Sequence, residues 1–347
     1  MTSARYNYME VVWWLVLMTV AGWLALVMLN SPARGTPPTA VPIDDEAPAR
    51  MVWEGAIADY RCGAFESAAA GFDLAACELT AREADSPYGD DALEVWTALE
   101  LQARGRLSEA ADAWEVIALP ASTEVYRHIA RAAAYLELGA LDHAQEAVFA
   151  AMHEEPGLGL VHYYVALLRL EQAAAAHRWH AEPLPAGIVR VSHRPPTDWA
   201  YTADLYELMA IGALEQAIAG ASELRPELRL IEPTRTEWVA LAPTVDDLLV
   251  ALGAEAYLPN AHHTLGYLLL ERGQAEAAEE HLDRAVALGT STVYGYEDLG
   301  AYYEALGRWG DATRAFTKSL RANPAEHGAA NRVLKNLLQS IRSTWLR

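Results

Sequence analysis

Lysine, phenylalanine and cysteine are scarce in this sequence. Of its 347 residues, two are lysine (Lys318 and Lys335), four are phenylalanine and two are cysteine. Acidic residues outnumber basic residues by 47 to 26, which gives a formal net charge of −21. A surface this acidic repels phosphate backbones, so we expect no nucleic-acid binding. Abundant alanine beside so little phenylalanine favours closely packed helices over sheets.

The short motifs that mark common catalytic and metal sites are also missing. Cys62 and Cys77 form no CxxC pair, which leaves zinc ribbons, thioredoxin-like redox sites and c-type haem attachment unsupported. No GxxxxGK[ST], GxGxxG or GxSxG motif occurs. We therefore predict that the protein is not an enzyme and needs no cofactor or metal ion. A helix about 20 Å long should separate the two cysteines, which predicts small core residues rather than a disulfide.

An uncharged stretch near the amino terminus predicts a membrane anchor. Residues 11–29 carry no charged side chain, and a helix of that length can cross a hydrocarbon core of about 30 Å. A cleaved signal peptide is the alternative, although its apolar region normally covers only roughly 7–15 residues. Arg5 in the short flank, residues 1–10, favours a single-pass protein of the cell membrane whose carboxy-terminal part is extracytoplasmic, as in a periplasm. The proline-rich residues 30–48 are predicted to be a semi-rigid linker.

The strongest pattern lies towards the carboxy terminus. Tyr296, Leu299, Gly300 and Tyr303 are followed by Gly307, Trp309, Ala312, Phe316 and Pro324, and 34 residues earlier the pattern recurs as Leu265, Gly266, Gly273, Ala278, Leu282 and Ala285. This spacing resembles the tetratricopeptide repeat, a helical hairpin of 34 residues. The resemblance implies an all-α solenoid of antiparallel hairpins. Glycine suits the turn after each first helix, and alanine suits the closest approach of the two helices.

Looser copies of the pattern occur upstream. Gly63, Gly105 and Gly139 mark the turn after the first helix in three of them, and the whole set predicts hairpins at 49–83, 90–123, 125–157, 259–291 and 293–325. We expect residues 49–172 to form an amino-terminal array, 173–200 a proline- and histidine-rich insertion, 201–258 degenerate helical repeats, 259–325 a carboxy-terminal pair, and 326–347 a capping helix. Residues 198–225 resemble a further hairpin around Gly212, and Thr244 and Asp247 are spaced as at the start of a helix. The array is either continuous or divided near 175–200.

Repeats of this kind expose one face built mainly from the first helix of each hairpin, and that face is the predicted protein-binding groove. Helical phase places the following residues towards it, each of which could instead be a structural packing residue: Trp53, Tyr60, Val95, Leu99, Tyr126, Ile129, Glu137, Tyr163, Leu167, Glu171, His263, Tyr267, Leu270, Glu271, Tyr294, Glu297 and Glu304. A groove rich in tyrosine with acidic residues beside it suits a basic or amphipathic segment of a partner protein.

These features predict a membrane-anchored scaffold or adaptor for the assembly or maintenance of an envelope or membrane-protein complex. A permanent accessory subunit of such a complex is the alternative. A third hypothesis, an enzyme or metal-binding protein, would use the histidines of the 177–193 insertion. His177 and His180 have a spacing that suits metal ligation, but prolines follow at once, so surface residues of a loop are the simpler interpretation.

Overall fold

The fold consists of helices throughout the part of the chain that the computed structural model describes, which is residues 47–80, 89–181, 197–231, 241–289, 293–322 and 332–339. The helices are α1 (Ala47–Arg61), α2 (Phe65–Thr80), α3 (Gly89–Ala103), α4 (Leu107–Val116), α5 (Glu124–Glu137), α6 (Leu141–Glu154), α7 (Gly159–Ala181), α8 (Thr197–Ala219), α9 (Val245–Ala251), α10 (Tyr257–Glu271), α11 (Ala275–Ala287), α12 (Val293–Ala305) and α13 (Trp309–Ala322). A 3₁₀ turn follows α8 at Gly220–Glu223, and residues 332–339 form a last described helix.

Five short turns fold the chain into the five predicted hairpins. The hairpins are α1–α2, α3–α4, α5–α6, α10–α11 and α12–α13. Each turn contains a glycine with positive φ, between 69° and 78°: Gly63, Gly105, Gly139, Gly273 and Gly307. This left-handed conformation strains any residue that has a Cβ, which explains why glycine recurs at these positions. The fold class predicted from the repeats, an all-α array of helical hairpins, is therefore confirmed for residues 47–322 where described.

Small residues let the two helices of a hairpin approach closely. A Cβ placed on Gly300 in α12 would lie 2.7 Å from the Phe316 ring of α13, and one on Gly266 in α10 would lie 3.0 Å from Leu282 of α11. Ala278 and Ala312 are completely buried at the corresponding contacts. The predicted roles of these glycines and alanines are therefore confirmed, because a larger residue has no space in either hairpin.

The middle of the chain differs from its prediction. Residues 198–225 were expected to form a hairpin around Gly212, but α8 runs through that glycine as one helix and packs along α7. Gly212 has no positive φ, and an interior glycine costs a helix only about 1 kcal/mol, which tertiary packing can offset. Since α6 packs on α7 and α8 packs on α10, the array continues through this region within the described residues.

Two further predictions need correction. Cys62 and Cys77 are unpaired as expected, but both are exposed rather than part of the core. In the helix at 332–339, Val333 packs on the core while Leu334, Leu337 and Leu338 face outwards, with exposures of 47% to 60%. These three leucines, which a capping helix would turn towards the last hairpin, therefore point away from it. The buried Asn336 faces the hairpin instead and donates a hydrogen bond to Glu304 of α12.

The predicted membrane anchor at 11–29 and the linker at 30–48 lie outside the described residues, apart from the linker's last two positions in α1. Among the helices that the structure describes, none is both long and apolar enough to cross a membrane.

Candidate protein-binding face

Most of the groove residues predicted in the first three hairpins are buried. Trp53, Tyr60, Val95, Leu99, Tyr126 and Ile129 each expose 2% of their surface or less. In the resting fold they are packing residues, so their assignment to an open groove needs correction. A later part of the chain contributes to this burial: residues 226–231 and 241–252, which we call the return segment, contact the first three hairpins at Thr123, Trp96 and Tyr60.

Side chains from successive hairpins hold the return segment by its backbone oxygens. The Thr123 hydroxyl, just before α5, donates to the carbonyl of Leu230 at 2.9 Å. The Trp96 indole N–H of α3 donates to Leu241 O at 2.8 Å. The Tyr60 hydroxyl of α1 donates to Asp247 O at 3.0 Å. The return segment therefore crosses the third, second and first hairpins in that order, with one anchor on each.

An ion pair completes the attachment at α1. Arg61 Nε and Nη2 donate to the two carboxylate oxygens of Asp247 at 2.8 and 3.0 Å, and the Asp247 side chain is only 5% exposed. The hydrogen bond to Asp247 raises the pKa of Arg61 above its ordinary value. Asp247 also closes a capping box with Thr244 at the start of α9, so the predicted helix start at this Thr-x-x-Asp sequence is confirmed.

Predicted residues near the middle of the array are partly accessible. Tyr163 and Leu167 of α7 are half-buried. The ring of Tyr163 lies at a tilt against the ring of Tyr257, with the two centroids 5.8 Å apart. Burial raises the pKa of the Tyr163 hydroxyl, although its hydrogen bond with Asn260 opposes the shift. Glu137 and Glu171 are exposed at the carboxy-terminal parts of α5 and α7.

The fourth hairpin, α10–α11, presents the most accessible of the predicted aromatic residues that the structure describes. Tyr267 of α10 is 40% exposed and Glu271, one turn later, is exposed as well. His263 is half-buried, and burial lowers its pKa. Leu270 is 7% exposed and belongs to the core, so its assignment to the groove is corrected.

The predicted groove residues of α12 fall into three situations. The side chain of Tyr294 lies outside the described residues, and Glu297 is half-buried. Glu304 accepts a hydrogen bond from Asn336 at 2.7 Å and pairs with Lys335 at 3.8 Å. Glu304 therefore fastens the helix at 332–339, which the sequence pattern alone could not reveal.

Negative charges surround Tyr267. Asp298 of α12 is the main cause of the raised pKa of Tyr267, followed by burial and by Glu271. The pKa of Glu271 is itself raised, by burial first and then by the nearby carboxylate of Glu207 in α8. We call Tyr267, Glu271, Asp298 and Glu207 the Tyr267 face. Each raised pKa means that further negative charge is unfavourable there, so the face attracts cations.

One arginine partly neutralises this face. Arg272 Nη2 lies 3.2 Å from Glu207 Oε2 and also donates to the carbonyl of Asp204 at 3.3 Å. His177 of α7 approaches Glu207 on the other side, at 3.4 Å. Glu207 and Asp298 were not predicted as groove residues, because they lie on other helices than Tyr267, namely α8 and α12. For Asp298 alone the sequence offered an indication, since it directly follows the predicted groove residue Glu297.

The insertion that prompted the metal hypothesis gives it no geometric support. His177 pairs with Glu207, while His193 lies outside the described residues and the side chain of His180 is not described. Within the described ranges, no group of three or more histidine, cysteine, aspartate or glutamate residues is arranged to hold a metal ion.

A histidine pair inside the fourth hairpin, α10–α11, is expected to make stability depend on pH. His262 Nδ1 of α10 and His281 Nδ1 of α11 lie 3.0 Å apart, so one neutral ring donates to the other. His262 is buried. Burial is the main cause that lowers the pKa of each histidine. At His262, the nearby His281 and Arg284 lower the pKa further. At His281, the carboxylates of Glu280 and Glu215 oppose the lowering.

Because the folded-state pKa values lie below the ordinary 6.5, the unfolded chain binds more protons as the solution is acidified. We expect stability to be full above about pH 7 and to fall between about pH 6.5 and pH 5. Thermal melts over this range would measure it. The His281→Gln variant should show a smaller decline, although His128 and His263, whose pKa values are also lowered by burial, still contribute. An identical decline in both proteins would contradict a role for the pair.

Solved structures with related helical arrays are known. The human IFIT1 dimer with m7Gppp-AAAA is 17% identical, with a TM-score of 0.48, over 88% of this chain and 58% of IFIT1. The Cut9–Hcn1 hetero-tetramer of the APC/C is 13% identical, with a TM-score of 0.45, over 83% of this chain and 43% of the other. The tetratricopeptide protein TTC0263 of Thermus thermophilus is 14% identical, with a TM-score of 0.33, over 84% of this chain and 99% of TTC0263.

This chain therefore spans less than two thirds of the length of IFIT1. No protein-family model matches it, and no curated protein is significantly similar to it. The assignment of the fold accordingly depends on the hairpins of this chain itself: their turn glycines, their buried alanines and the packing of each helix on the next.

Proposed function

We propose that this protein is a scaffold that holds a basic or amphipathic segment of a partner protein on the Tyr267 face. The observation that carries the proposal is an exposed tyrosine among carboxylates from three helices, α8, α10 and α12. Tyrosine offers a large contact area at a small entropic cost, which suits a binding hot spot. Arginine or lysine side chains of a partner would neutralise the carboxylates and raise the rate of association.

The cellular setting of the scaffold is part of the same proposal. Residues 11–29 would anchor it in the cell membrane, and the proline-rich linker would hold the helical array away from the bilayer on the extracytoplasmic side. A protein so placed would assist the assembly or maintenance of an envelope or membrane-protein complex. Pelleting with membranes after alkaline washing tests the anchor, and a fully soluble chain would exclude it.

Replacing Tyr267 by alanine is expected to weaken partner binding by at least about 2 kcal/mol, because the exposed ring would form the centre of the contact. Glu271→Gln should weaken it less, and raising the salt concentration should slow association by screening the carboxylates. The measurement is the affinity of each purified variant for a partner recovered from the native host.

A matched control is available at Phe149, which has a similar exposure of 44% but lies on α6. Phe149→Ala should leave both binding and the circular dichroism spectrum unchanged. A folded Tyr267→Ala variant that binds its partner with unaltered affinity would exclude the Tyr267 face. A partner recovered in fixed stoichiometry under every condition would favour the alternative, a permanent accessory subunit.

A further inference from the structure

The return segment lies on the first three hairpins in the manner of a bound peptide. Its contacts run from Thr123 through Trp96 to Tyr60, which is the reverse of the order of the hairpins in the chain. Each contact joins a side chain of a first helix, or of the residue that precedes it, to a main-chain oxygen of the return segment. A surface that binds main-chain oxygens with its side chains can hold a segment independently of most of that segment's sequence.

Main-chain hydrogen bonds within the return segment make it a separate unit. Leu230 N donates to Pro243 O and Val245 N donates to Leu228 O, both at 2.8 Å, which gives an antiparallel bridge between Arg229 and Thr244. The capping box at Thr244 and Asp247 starts α9 without help from the hairpins. The return segment thus organises part of its own backbone, and its main-chain oxygens and the Asp247 carboxylate accept hydrogen bonds from side chains of α1 and α3.

Apolar side chains of the return segment are buried in the core that it shares with the first three hairpins. Leu230, Leu241, Val245, Leu248 and Leu249 of the return segment expose 4% of their surface or less. They belong to the same buried cluster as Tyr60, Trp96 and Tyr126. The bidentate pair of Arg61 with Asp247 then sets the position along α1, because a guanidinium group fits a carboxylate only in a narrow range of orientations.

We propose that α1, α3 and α5 form a peptide-binding face whose resident ligand is the return segment. A protein partner would enter this face by displacing the segment with a stretch of the same chemistry: apolar residues leading into a helix that carries aspartate in its first turn. In the resting chain the first three hairpins are therefore closed to partners, whereas the Tyr267 face stays open. The proposal is independent of what binds to the Tyr267 face.

A peptide supplied in trans tests the proposal. The test protein is the full chain with residues 241–252 replaced by a glycine–serine linker of equal length, and the probe is an acetylated peptide of sequence 241–252. The peptide should bind this variant and not the unmodified chain, in which the tethered segment competes at a high effective concentration. The peptide with Asp247→Ala should bind about tenfold more weakly or worse, because it loses charged hydrogen bonds.

The matched control is Arg61→Ala in the linker variant, which should bind both peptides equally weakly. Absence of binding to a folded linker variant would overturn the proposal. Equal affinity of the two peptides for the linker variant that retains Arg61 would also overturn it.

Hydrogen exchange in the unmodified chain provides a second test that does not depend on the folding of any variant. If the return segment is a displaceable ligand, the amides of Leu230, Val245 and Leu248 should exchange at least about tenfold faster than the most protected amides of α3 and α5, through an opening that leaves the hairpins folded. Equal exchange rates would show that the segment and the hairpins open only together, and the proposal would be wrong.

Discussion

Trp96→Ala is expected to lower the free energy of unfolding by about 3–5 kcal/mol. The Trp96 side chain is completely buried, stacks on Phe72 with ring centroids 5.7 Å apart, and meets the Tyr60 ring edge-on at 5.3 Å. Its removal would leave a large cavity between the first two hairpins and would also leave the Leu241 carbonyl without its donor. Urea denaturation followed by circular dichroism would measure the loss.

The Trp96→Phe variant separates the contribution of apolar packing from that of the hydrogen bond to the Leu241 carbonyl. Phenylalanine keeps most of the apolar contact but has no indole N–H, so we expect it to cost about 1–3 kcal/mol, part of it for the unpaired carbonyl of Leu241. A loss below about 1 kcal/mol for Trp96→Ala would mean that the contact between the return segment and α3 contributes little to the fold.

Phe316→Ala is the second substitution with a large expected effect, about 3–5 kcal/mol. Phe316 of α13 is completely buried. Its ring packs directly on the backbone of Gly300, so that a Cβ placed on Gly300 would lie only 2.7 Å from the ring. Arg332 lies over the same ring, with its guanidinium carbon 5.2 Å from the centroid. The alanine variant should therefore loosen both the last hairpin and its contact with the helix at 332–339.

Two comparisons make the Phe316 prediction specific. Phe149→Ala removes an aromatic ring that is 44% exposed, and it should change stability by no more than about 0.5 kcal/mol. Gly300→Ala approaches the same contact from α12 and should destabilise the hairpin by about 1–3 kcal/mol through overpacking. Similar melting temperatures for all three variants and the unmodified chain would contradict the register of α12 against α13.

The two expected losses also differ in their cause. At Phe316 the ring packs within one hairpin, against a glycine 16 positions earlier in the chain. At Trp96 the ring links a hairpin to Leu241, which is 145 positions away. Only Trp96→Ala should therefore change the hydrogen exchange of the return segment, which makes exchange a further way to distinguish the two effects.

The candidate site was only partly predictable. Helical phase identified Tyr267 and Glu271, since a first helix turns one stripe of residues away from its partner helix. The same phase selected Tyr60, which is buried and donates a hydrogen bond to Asp247 of the return segment. Phase reports the direction of a side chain relative to its own helix. It carries no information about what a distant part of the chain places there.

The hairpins themselves were determined by the sequence alone. Glycine at each turn and alanine at each close contact are local requirements that can be read within one repeat, and the spacing of 34 residues can be read from two adjacent repeats. The helix start at Thr244 and Asp247 was evident for the same reason, because a capping box involves only four consecutive residues.

Only the tertiary structure decided where the helix that begins at Thr244 would lie and what Asp247 would bind. The pairing of Arg61 with Asp247 spans 186 positions, and nothing in the sequence around either residue distinguishes it from the many other acidic and basic residues. The accessible face was decided in the same way. Contacts between distant segments close the first three hairpins and leave Tyr267 exposed, because burial depends on the packing of the whole chain.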